Sequence, residues 1–156
     1  MDFVLWVSRI MHVVSAVVWI GGLIFMNTVL HPVLHHRHET LSPAALAIRQ
    51  RFFPFLWSGL WTLFGTGVFL TLLSPRFLWF DVSTTWSQLL TAKVVLFLLL
   101  WFVSWQAARV VRNIETAVSG EPETAESWLR TLEALIRRSI VLGIISLLCA
   151  AGMAVS

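Results

Sequence analysis

Four long apolar stretches decide what this chain can fold into. They cover residues 3–30, 52–73, 89–111 and 136–155. About 20 consecutive apolar residues, wound as a helix, cross the hydrocarbon core of a bilayer. The expected fold is therefore all-α, an integral membrane antiparallel four-helix bundle that uses residues 1–156 as one domain. Of the 156 residues, 58% are hydrophobic and 12% charged, a balance outside that of ordinary soluble domains. The fourth stretch is the shortest, and residues 132–136 extend it toward the interface. The first residues carry Asp2 and no Lys or Arg, and the apolar run behind them is far longer than a signal core, so helix 1 is expected to be retained. The single Cys149 falls in the fourth stretch, where it reads as a small packing residue, and no disulfide framework is expected.

Basic residues set the expected topology. Arg37, Arg49 and Arg51 lie between the first two stretches, and Arg112, Arg130, Arg137 and Arg138 lie around the connection between the last two. The opposite side has only Arg76, apart from the deeper Arg9 and Lys93. The positive-inside rule then makes loops 31–51 and 112–136 cytoplasmic and both termini periplasmic, in a bacterial inner membrane. This distribution accounts for the net charge of +3 without a soluble basic patch, so no nucleic-acid partner is expected. The expected partners are the lipid bilayer, a quinone or cytochrome, and further copies or subunits of a larger membrane complex.

Local signals punctuate the helices. Pro32 is expected to end helix 1, because the residue before a proline is pushed out of the helical region. Gly21–Gly22 either bends that helix or admits a close neighbour. Ser42–Pro43 reads as an N-cap followed by proline at the first helical position. Ser74–Pro75 is a breaker after helix 2, and Trp6, Trp79, Phe80 and Trp86 form an expected aromatic belt at the outer interface. Helix 3 is expected to overrun to about Val118 and stop at Gly120. Glu121–Pro122 then opens an amphipathic lead-in to helix 4, where Glu126 with Arg130 and Glu133 with Arg137 are acid-before-base pairs on a solvated face.

Ionisable side chains inside hydrocarbon cost roughly 2.5–3.5 kcal/mol each at a helix centre and mark candidate sites. On helix 1, Ser8, His12, Ser15, Trp19, Gly22 and Met26 share one face at helical spacing, with Arg9 beside His12. Helix 2 offers Ser58, Thr62 and Thr66; helix 3 offers Lys93 and Ser104; helix 4 offers Ser139, Gly143 and Ser146. With the termini outside, His12 lies about 15 Å down helix 1, and Lys93 enters helix 3 from the same face. Two cations and an imidazole thus fall in the outer half without an intramembrane carboxylate. Porphyrin propionates would complete that set, and an imidazole in a bundle core can ligate haem iron. The alternative is that Arg9 and Lys93 snorkel to the interface while His12 bonds a facing hydroxyl. A second constellation is His31, His35, His36 and His38. On a continuous helix His31, His35 and His38 share a face that suits copper or zinc.

Arg9-x-x-His12 followed by Trp19-x-Gly21-Gly22 resembles the opening helix of the copper-resistance D (CopD) family. Arg51-Phe52-Phe53-Pro54 leading to Ser58-Gly59 is similar to its second helix, Leu89-Leu90-x-x-Lys93 to the start of its third, and Asn113 to an asparagine after it. The likeness runs from about Ser8 to Asn113. The chain is also similar to the HemJ-type protoporphyrinogen oxidases, four-helix membrane proteins whose first-helix histidine maps onto His12 and third-helix lysine onto Lys93. The resemblance implies membrane haem or copper handling, with haem b on His12, flanked by Arg9, Lys93, Ser15 and Trp19. Residues 100–109 hold no second histidine, so neutral Lys93 or Met153 are the candidates for a second ligand. As an enzyme, such a protein would be a haem-dependent membrane oxidoreductase. The other functions in view are copper transport across the inner membrane and a cofactor-free accessory role in a respiratory complex.

Overall fold

The structure, a computed structural model, describes residues 2–37, 39–74, 84–118, 120 and 122–155, with the side chains of Asp2, Pro122 and residues 153–155 excluded. Helix α1 runs Asp2–Phe25 and passes through a π-helical turn, Met26–Leu30, into the short α2, His31–His36. Then follow α3 (Pro43–Leu72), α4 (Thr85–Val118) and α5 (Pro122–Val155). Among the described residues there is no strand. Four helical spans are long and apolar enough to cross a membrane: Phe3–His36, Pro43–Leu72, Thr85–Val118 and Glu123–Gly152. Apolar side chains such as Phe3, Val17 and Leu148 are largely exposed on the outside of the bundle, the surface that hydrocarbon covers in a membrane protein.

Helix α1 packs most closely on α3, and α4 on α5. The core between them is built from Trp19, Leu23, Leu60, Leu100, Ile114 and Leu132. Without a hydrophobic force between helices in lipid, close packing over small residues carries the association. A Cβ on Gly143 would lie 3.2 Å from Cγ1 of Ile20, and one on Gly22 would lie 2.9 Å from Cζ of Phe52. Gly22 is therefore the residue that admits a neighbour, while Gly21 faces open space. Helices α3 and α4 approach less closely and fill their seam with rings instead. Trp101 meets Trp61 edge-on at 4.6 Å between centroids and Trp57 at 5.2 Å, and Phe64 stacks on Phe97 at 6.0 Å. His12, Trp19 and Gly22 on α1 meet Thr66, Gly59 and Phe52 on α3.

Several local expectations are met. Ser42 caps α3 by accepting the Ala45 amide at 3.2 Å, with Pro43 in the first turn. Helix α4 stops at Val118 and α5 opens at Pro122. The helical face of Ser8, His12, Ser15, Trp19, Gly22 and Met26 does turn inward, with Trp19 and Met26 fully buried and the rest half-buried. Ser58 on α3 does not; it is exposed and donates to the Phe55 carbonyl. Trp6 is exposed and stacks on Phe3, and Trp86 is half-buried. Trp79, Phe80, Pro75 and Arg76 lie outside the described residues.

Pro32 does not end the first span. It sits in the first turn of α2, directly after the π-turn, and the His31 amide donates to the Met26 carbonyl five residues back. A proline inside a helix lacks an N–H and crowds the carbonyl four residues earlier. Widening the preceding turn to π spacing gives the ring room, and the Thr28 hydroxyl donates to the Ile24 carbonyl at 2.8 Å just before it.

Candidate functional site

The inward face of α1 brings His12 against α3. Its Nδ1 lies 2.8 Å from Oγ1 of Thr66. The Thr66 hydroxyl hydrogen is already committed, donating to the Thr62 carbonyl at 2.6 Å. With that bond kept, the hydroxyl oxygen accepts from the imidazole and Nδ1 carries the proton. Neutral His12 is thus held as the Nδ1–H tautomer with the lone pair of Nε2 free. In metalloproteins the same device, a ring N–H donated to an oxygen behind it, fixes which nitrogen binds the metal.

The close fit depends on Gly67. A Cβ there would lie 3.3 Å from Cε1 of His12, tight enough to shift the ring. Lys93, half-buried on α4, lies within electrostatic reach of both His12 and Cys149 on α5. All four spans therefore contribute to one polar level. Ser15 and Trp19 continue the His12 face toward the core, where Trp19, Trp57, Leu60, Ser104 and Ser139 line a cavity of about 20 Å³, room for about one water. Arg9 is not brought into this group; it is exposed on the flank of α1. The side chain of Met153 lies outside the described residues.

The histidine-rich segment divides. His31 turns inward, with Nε2 2.6 Å from Oε1 of Glu133 on α5. His35 and His36 are exposed, the His31 and His35 rings stand 6.0 Å apart, and His38 lies outside the described residues. Among the described residues, no three His, Cys, Asp or Glu side chains gather as metal ligands would.

Around His31 the structure has a feature that charge patterning misses. Arg49 is only 4% exposed, donates from Nη1 to the Thr40 carbonyl at 2.6 Å, and lies close enough to Glu133 for their charges to attract. Asn27, in the π-turn, lines a second cavity of about 20 Å³ with His31, Arg49 and Glu133. Glu133 is thus drawn inward to His31 and Arg49 instead of standing on a solvated face with Arg137, which is exposed.

The fold and this pair of polar centres define a helical membrane protein, with four spans in one bundle and ionisable groups inside it. Comparison with protein-family models, with known proteins and with solved structures finds no match, so the chain's particular role rests on its own residues.

Proposed function

We propose that this protein binds haem b through His12 and takes part in electron transfer in a bacterial inner membrane. The observation that carries this reading is the hydrogen-bonded pair behind the imidazole, His12 Nδ1–H to Thr66, which leaves Nε2 as an available ligand nitrogen. The chemistry of the donor set fits the group. A neutral imidazole suits iron, and Lys93 is the cation near it that can neutralise a propionate. The cavity at Trp19 has room for about one water, so a tetrapyrrole would require the helices to part. Haem b, when bound, supplies a one-electron couple; the chain's own residues hold the iron ligand in one tautomer, supply charge and exclude water. The fitting redox partner is a quinone or a cytochrome. The opposed registers of neighbouring helices support an antiparallel up-and-down order. The arginines of 31–51 and 112–138 support cytoplasmic loops and periplasmic termini.

A pyridine haemochrome assay on protein purified from cells supplied with haem tests this reading. One b-type haem per chain is expected; a colourless, folded protein would reject it. Two outer-shell variants add a graded check. Thr66→Val removes the acceptor behind Nδ1 and should weaken haem binding roughly 10–100-fold, the usual effect of losing such a partner. Gly67→Ala should shift the imidazole and weaken binding in the same direction, measured by haem titration of the stripped protein.

A further inference from the structure

One end of the bundle carries a band of arginines whose placement is more specific than a count of charges. Arg51 on α3, Arg109 and Arg112 on α4, and Arg130, Arg137 and Arg138 on α5 are all exposed. The seam contacts put them near a common level. Phe64 against Phe97 and Trp57 against Trp101 set Arg51 level with the turn that holds Arg109. Leu89 against Gly152 sets Arg112 level with Arg130. From Arg130 to Arg138 the band is about 12 Å tall at 1.5 Å per residue, taller than the roughly 5–8 Å of one headgroup layer, a difference that long flexible arginines bridge by snorkelling.

Two further observations fix what this band faces. The Arg109 guanidinium lies 3.6 Å over the ring of the exposed Trp105, and tryptophan beside a cation is the side-chain chemistry of the membrane–water boundary. Glu115 and Glu126 lie at the edge of the band next to Arg112 and Arg130, and Glu133 lies within its span but pairs with His31; among the described residues none of these carboxylates forms an ion pair with an arginine of the band. The band's guanidinium groups therefore have no carboxylate ion-pair partner among the described residues, and its arginines are exposed on α3, α4 and α5 alike.

We infer that this band is a binding surface for the headgroups of anionic phospholipids, which supply the counter-charge that the chain withholds. Guanidinium groups donate to phosphate oxygens in forked pairs, and a band open on several helices suits a shell of lipids.

The test uses the full chain in a zwitterionic detergent. Native mass spectrometry should show phosphatidylglycerol retained roughly tenfold more than phosphatidylcholine, with the preference lost at high salt and in Arg109→Gln/Arg137→Gln/Arg138→Gln. Thermal unfolding of the wild-type chain should rise with phosphatidylglycerol vesicles and stay unchanged with soluble glycerol phosphate. Equal retention of the two lipids, a preference indifferent to salt, or stabilisation by glycerol phosphate alone would each overturn the inference. The wild-type measurements decide it even if the triple variant fails to fold.

Discussion

His12→Ala is expected to abolish haem binding while leaving the bundle intact. The substitution removes the ligand nitrogen itself, so the loss should exceed the roughly 10–100-fold expected for an outer-shell partner. The fold should survive because His12 is half-buried and its one side-chain partner, Thr66, keeps its bond to the Thr62 carbonyl. No donor or acceptor is left stranded, and the new space opens beside Gly67 at the side of α3. Circular dichroism should match the wild type, and the Soret absorbance should vanish. Imidazole added to His12→Gly should restore part of it. Arg9→Gln, on the exposed flank of α1, should keep haem to within a few-fold. Retention of full haem in His12→Ala would remove the ligand assignment.

The largest stability effect is expected at the other polar centre. Glu133→Ala leaves Arg49 buried at 4% exposure without its nearby carboxylate and takes the partner from His31 Nε2. Removing that carboxylate should cost about 1–3 kcal/mol, because His31 loses its partner and the desolvated Arg49 charge loses a nearby counter-charge. The Thr40 carbonyl cannot compensate, being a single neutral acceptor. Replacing the opposed charges together, as Arg49→Met/Glu133→Leu, should recover most of that loss, since apolar side chains of similar volume carry no desolvation penalty. Thermal unfolding in detergent measures both. A neutral Glu133→Ala, or a double variant worse than the single, would mean that the cluster does not hold the bulged end of the first span to α5.

Much of the bundle is legible in the sequence because membrane spans obey a one-dimensional rule. Long apolar runs mark the helices, Ser42–Pro43 marks a start, and the 3.6-residue period picks out the inward face of His12, Trp19 and Met26. Departures arise where a local rule meets a distant partner. Glu133 has Arg137 four residues on, so helix periodicity reads an exposed pair; His31 and Arg49, on other helices, claim it instead. Arg49 reads as one more loop charge, yet its bond to Thr40 lets it be buried. Pro32 reads as a stop because the rule for the preceding residue assumes ordinary α spacing, which the π-turn escapes.

The candidate site shows the same division. Sequence separates an iron-ligating His12 from a His12 that bonds a facing hydroxyl, as if the two excluded each other. The hydroxyl of Thr66 occupies only Nδ1, so the bond supplies the free Nε2 that ligation needs. What no spacing rule conveys is the direction of the Thr66 hydrogen, which depends on the Thr62 carbonyl one turn earlier on α3.

Nitrogen-15 NMR of histidine-labelled, haem-free protein measures the His12 tautomer directly. His12 should give a protonated Nδ1 and an unprotonated Nε2 at neutral pH, with the assignment taken from the signals missing in His12→Ala and the preference lost in Thr66→Val. A protonated Nε2, or an imidazolium at neutral pH, would contradict the proposed ligand geometry.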